Sequence, residues 1–102
     1  MEGGFNIYAI DLEKALLAHP AVDDAAVIGI PSEHWGETPL GLVVLRPGHE
    51  DSGPAILKWA NARLGKGQRI SAIELRAELP RSTIGKILKR ELREPYWNAI
   101  AR

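Results

Sequence analysis

Cysteine is absent from this chain of 102 residues. That excludes disulfides, thiolate metal sites and a cysteine nucleophile, and it fits a reducing compartment. Long apolar runs are lacking too. No stretch approaches the roughly 20 residues a membrane-spanning helix needs, and the first residues have neither the basic nor the apolar region of a signal peptide. An excess of charge is also missing: Lys+Arg and Asp+Glu stand at 13 each. No global field therefore draws the chain to nucleic acid or to an anionic membrane, and any anion must be held by a local cluster. His19, His34 and His49 are far apart and lack ligand-like companions, so no metal is assigned. Neither a Ser-His-Asp order nor a phosphate-binding P-loop occurs. These absences leave the expectation of one cytoplasmic, soluble domain over residues 1–102.

What is present fills that frame. With 45% hydrophobic and 25% charged residues, the composition is that of an ordinary globular domain. At this length about 60–70% of the unfolded surface can be buried, enough for a fold without staples. Residues 5–9 read as a short strand behind a double glycine. Leu12, Ala15, Leu16 and His19 then recur at helical spacing, until Pro20 pushes His19 out of the α region. Asp23 and Asp24 mark a turn. Residues 25–30 read as a strand buried on both faces, 31–38 as a loop, and 40–45 as a second buried strand stopped by Pro47 and Gly48. Asp51 or Ser52 caps a helix entered at Pro54. Its inner face carries Ile56, Trp59, Ala60, Arg63 and Leu64, and Gly65 offers a C-cap. Residues 70–76 alternate loosely as a further strand. A last helix with Leu88 and Leu92 inward precedes a tail beyond Pro95, pinned by Tyr96 and Trp97. The order β-α-β-β-α-β-α predicts an α+β fold, a small mixed sheet packed with about three helices.

Two segments carry chemistry. In Pro80-Arg81-Ser82-Thr83-Ile84-Gly85-Lys86, the proline stiffens the start of a loop and Gly85 permits backbone angles barred to other residues. One ammonium group is thereby held at a loop tip and aimed at an anion. A lysine at a helix start also reads as an ordinary solvated side chain, and the helix dipole disfavours a cation there. The second segment is Gly3-Gly4-Phe5-Asn6-Ile7-Tyr8; a glycine pair by itself marks only a turn. Taken together they say more. The first, continued through Leu92, resembles PRxxxGKIxRxxL, the lysine motif that closes acyl-CoA synthetases and their adenylate-forming relatives. The second resembles GGxNIYPxEVE, the loop that opens the small C-terminal domain of those enzymes. Order and spacing agree, and the resemblance runs from Gly3 to about Trp97.

The resemblance implies a C-terminal lid domain of an AMP-forming acid–CoA ligase, closest to the fatty-acid type. In that family the carboxylate of an acid attacks the α-phosphate of ATP, giving an acyl-adenylate and pyrophosphate. Coenzyme A then takes the acyl group. By resemblance, Lys86 assists adenylation: a positioned ammonium eases the meeting of two anions and is worth several kcal/mol. A mobile domain then withdraws it. Gly3, Gly4, Phe5 and Asn6 are implied to line the tunnel for the pantetheine arm. ATP and coenzyme A are implied as substrates, with Mg2+ carried on ATP, and the implied partner is a large N-terminal domain holding the acid and nucleotide pockets. Met1-Glu2 then looks like a start within a longer protein, and the domain alone is not expected to make an acyl-adenylate. Ala9 stands for the family's usual proline, Asp11 for a glutamate, and Phe5 where many relatives have glutamate.

Other readings stay open. Lys86, Lys89, Arg90 and Arg93 fall at helical spacing and make one cationic stripe. It reads as a solvated face partly paired with Glu91 and Glu94, or as a binder of phosphates. The chain is then a free-standing, non-catalytic module that binds a partner domain or an anionic ligand through its basic C-terminal helix. Nucleic acid finds no recognised motif here. His34-Trp35-Gly36-Glu37 resembles the family's WGE loop and reads as structural, with Trp35 covering the sheet.

Overall fold

The runs at residues 25–30 and 40–45 are too apolar to leave either face wet, and the computed structural model shows how both are covered. It describes residues 2–32, 36–65 and 67–100, with side chains for 9–32, 36–65 and 67–98. Strands β1 (Val22–Ser32) and β2 (Gly36–Leu45) form an antiparallel hairpin, and β3 (Ala72–Leu75) adds parallel to β2, in the order β1-β2-β3. The helices among the described residues are α1 (Glu2–Leu17), α2 (Gly53–Asn61) and α3 (Lys89–Ile100). An α+β fold with a mixed sheet is as expected, in the order α-β-β-α-β-α.

Alternation along the ribbon divides the core. Ala25, Val27 and Val43 pack with Leu12 and Leu16 of α1 and Ile56 and Ala60 of α2. Ala26, Ile28, Leu40 and Leu42 point the other way, onto Leu92 of α3 and onto Leu79 of the segment that follows β3. Because successive strand residues face opposite sides, Val22 should join the second group, yet it lies in the first. A β-bulge explains this: the register slips between Val22 and Asp24, and the extra residue reverses the parity. Gly41 makes room for α1. A Cβ there would lie 2.7 Å from Ile73 Cδ1 and 3.1 Å from Leu16 Cδ1.

Several boundaries differ from the sequence reading. Residues 5–9 belong to α1 rather than to a leading strand. The sheet shows no fourth strand among the described residues to pair with them, and a strand alone leaves its backbone unsatisfied. The expected loop at 31–38 is largely strand, with Pro31 opposite Glu37 and Pro39 opposite Gly29. Proline is tolerated there because β1 is an edge strand and β2 meets β3 only from Leu40 onward. His34 and Trp35 lie outside the described residues. Ser52, not Asp51, caps α2 by accepting from Ala55 N at 3.2 Å, and the helix ends at Ala62 before reaching Gly65.

Beyond Pro95 the chain continues as helix rather than tail. An internal proline costs a helix about 3 kcal/mol. Burial of Leu92 offsets much of this at about 1.5–3 kcal/mol, and two anchors add to it. Trp97 Nε1 donates to Gly29 O at 2.8 Å, and the Tyr96 hydroxyl accepts from Arg76 Nη2 at 2.9 Å while donating to Glu74. The pinning by Tyr96 and Trp97 holds as expected. Another tie was not readable beforehand: Asn61 donates to Ile70 O at 3.0 Å and accepts from Ile70 N at 2.9 Å. One amide thus completes the backbone pairing of the buried residue that leads into β3.

Two outcomes follow. Asn61→Ala strands both backbone groups of Ile70 and should lower stability by about 1–3 kcal/mol in urea unfolding. Burial and the bond to Glu74 push the Tyr96 phenol above its ordinary value, against the opposing bond from Arg76. Its neutral form is therefore favoured by folding, so this contribution is complete below the unfolded value of about 10 and fades as pH rises through the folded value. Tyr96→Phe should start less stable yet lose less stability than wild type between about pH 9 and pH 11.5.

Candidate functional site: the lysine hairpin

After β3 the chain crosses to the α3 side of the sheet, where Leu79 is buried. It then doubles back on itself. Leu88 N donates to Pro80 O at 2.9 Å, Ser82 N to Lys86 O at 2.8 Å, and Arg81 bridges Ile87 in antiparallel fashion. The turn closes with Gly85 N donating to Ser82 O at 2.9 Å and Lys86 N to Ser82 Oγ at 3.3 Å. Gly85 sits at φ +88°, in the left-handed region, which a Cβ disfavours. A side chain would meet nothing within 4 Å there, so the need for glycine is conformational.

Arg81 fastens this hairpin. Its Nη1 donates to Gly85 O at 2.6 Å and its Nη2 to Asp24 Oδ2 of β1 at 2.5 Å. The other Asp24 oxygen accepts from Ala25 N at 3.0 Å. Lys86 is thus fixed through its main chain while its side chain is exposed, with no ion pair among the described residues. Chemically, this is a cation on a rigid mount, able to meet an anion brought from outside. Ile84, at the tip, is 79% exposed.

The expected cationic stripe does not form as read. Since α3 begins at Lys89, Lys86 lies outside the helix and off its dipole. Lys89 pairs with Glu13 Oε2 at 2.5 Å and Arg93 with Glu37 Oε2 at 3.6 Å, rather than with Glu91 and Glu94. Arg90 is exposed beside a shallow recess of about 200 Å3, also lined by Arg93, Glu94, Trp97 and Asn98. Gly3, Gly4, Phe5 and Asn6 fall at the start of α1, with side chains outside the described residues. His19 is buried beside the end of α1, accepting from Ala21 N at 3.0 Å and meeting the Trp59 ring edge-to-face at 4.7 Å. Among the described residues no group of three metal-ligating side chains comes together, and no helix is long and apolar enough to cross a membrane.

Sequence reasoning found Lys86 and Gly85 but missed Arg81, Ser82 and Asp24 as their support. Arg81 stood in the motif as a named letter without a role, and Ser82 as one of its open positions. Asp24 was hidden in an acidic pair read as a turn.

The chain is 44% identical over 99 residues to a long-chain-fatty-acid–CoA ligase of Thermus thermophilus, covering 94% of this chain and 18% of that protein. It is 39% identical over 90 residues to a mitochondrial malonate–CoA ligase of Bos taurus, covering 88% and 15%. Among solved structures, apo MatB from Rhodopseudomonas palustris superposes with a TM-score of 0.83 at 34% identity, over 95% of this chain and 19% of that one. An acyl-CoA synthetase of Brucella canis gives 0.82 at 33%, over 90% and 18%. The chain thus spans less than a fifth of the length of each relative. Residues 11–86, from α1 to the lysine itself, match a single family throughout, and the chain belongs to the AMP-binding enzyme C-terminal domain family.

Proposed function

We propose that this chain, residues 1–102, is the mobile C-terminal domain of an AMP-forming acid–CoA ligase, and that Lys86 serves the adenylation half-reaction. The observation that carries this is the lysine hairpin: its backbone is tied at both limbs, while the ammonium it presents is exposed. When an acid carboxylate approaches the α-phosphate of ATP, like charges converge and the phosphoryl oxygens gain charge in the transition state. A cation already held in position offsets this without reorganising at the moment of reaction. The acid, the nucleotide and the Mg2+ it carries would be bound by a large N-terminal domain, the partner this reading requires. Coenzyme A would enter in the second half-reaction, with Gly3, Gly4, Phe5 and Asn6 lining its pantetheine channel. A carboxylic acid of the fatty-acid type is the substrate we favour, supported by the similarity to the Thermus thermophilus protein. A cytoplasmic setting suits an enzyme that draws on ATP and coenzyme A.

A free-standing anion-binding module is the weaker reading. Two of the four cations it relied on, Lys89 and Arg93, are engaged with carboxylates of the same domain.

In the full-length ligase, Lys86→Ala should slow acid-dependent ATP–pyrophosphate exchange by about 10²–10³-fold, as loss of one preorganised charge does elsewhere. Thioester formation from supplied acyl-adenylate should persist. An equal fall in both half-reactions would mean that the substitution acts through folding or domain closure.

A further inference from the structure

We infer that Asp24 and Arg81 are a positioning pair that sets where Lys86 is presented, an inference resting on the adenylation role proposed for that lysine. Arg81 makes two bonds with different partners. One is internal to the hairpin, to the carbonyl of Gly85, the residue directly before Lys86. The other leaves the hairpin for the carboxylate of Asp24 on β1. The first fixes the peptide that leads into the lysine, and the second fixes that peptide to the sheet. A planar guanidinium can hold both directions at once, whereas an ammonium is a point charge.

The carboxylate end is prepared as well. Asp24 keeps one oxygen on Ala25 N, which leaves the other for Arg81. Its direction is a product of the bulge. The register slip between Val22 and Asp24 lets Val22 stay in the core under α1 and α2, while Asp24 shares the parity of Ala26 and Ile28 on the α3 side. Bulges that re-aim a side chain beside functional sites are a recurring device. The neighbouring acid is no substitute: Asp23 lies 3.7 Å from Arg46, both side chains about half exposed. The Arg81–Asp24 pair is partly exposed, its side chains at 44% and 25%, and such a pair contributes little to stability in water. Its effect should therefore appear in the rate of the step that uses Lys86, because small misplacements of a catalytic group are costly.

The test uses the full-length ligase, with ATP–pyrophosphate exchange and thioester formation from supplied acyl-adenylate measured separately. Asp24→Asn and Arg81→Lys should each lower the kcat of adenylation about tenfold, leaving the KM for ATP and the thioester step within about twofold. The double variant should be no slower than either single one, because both remove the same link. Lys86→Ala serves as the reference. If it abolishes adenylation while Asp24→Asn behaves as wild type, the positioning pair is refuted and the lysine's role stands. Additive losses in the double variant, or equal losses in both half-reactions, would likewise refute it, pointing to two separate effects or to a general loss of structure. If Lys86→Ala adenylates normally, the reading of the lysine falls, and the pair with it.

Discussion

A ribbon that is apolar on both faces is stable only between two layers, and β1–β2 is such a ribbon. Leu12, Leu16, Ile56 and Ala60 close one side, while Leu79 and Leu92 close the other. Each fully buried aliphatic side chain contributes about 1.5–3 kcal/mol, far more than any single surface ion pair at about 0–1 kcal/mol. The need to cover the second face brings residues 76–88 across the sheet and seats α3 there. The lysine hairpin lies on that crossing. Its position is thus a consequence of core packing, and its orientation a consequence of a few polar ties.

Those ties gather at β1, the edge strand. Glu13 of α1 accepts from Val27 N at 2.8 Å and also pairs with Lys89 of α3. One carboxylate therefore covers a backbone donor on an open sheet edge, where unpaired groups invite association, and links the two layers across it. At the other end of the strand Asp24 holds Arg81. Trp97 reaches the same strand at Gly29. The strand that looks most like plain core in sequence is the one to which the hairpin and α3 are both moored.

How much of this was readable in the residues depended on the kind of signal. The two apolar runs named their own burial, and Ser52-Gly53-Pro54 announced a helix start. Lys86 and Gly85 stood out because a motif surrounds them. Side chains that bond to groups distant in sequence carry no local pattern, so the Asn61 clamp on the Ile70 backbone and the Arg81 link to the Asp24 carboxylate were invisible. Local rules also misled where tertiary contacts outweighed them. Pro31 and Pro95 stood at expected ends of elements, yet each lies within an element whose burial or edge position tolerates it. Residues 5–9, behind a double glycine, read as a strand for which the sheet has no neighbour among the described residues. A helical spacing drawn through Lys86 suggested a stripe, but the hairpin bonds to Ser82 remove that lysine from the helix.

The central claim is that this domain brings a rigidly mounted lysine to the α-phosphate of ATP. The most direct measurement is a crystal structure of the full-length protein with ATP and a non-reacting analogue of the acid. The account predicts Lys86 Nζ within hydrogen-bonding reach, about 3 Å, of an α-phosphate or carboxylate oxygen, with the Arg81 bonds to Gly85 and Asp24 intact. A lysine hairpin turned to solvent while both reactants are bound would contradict it.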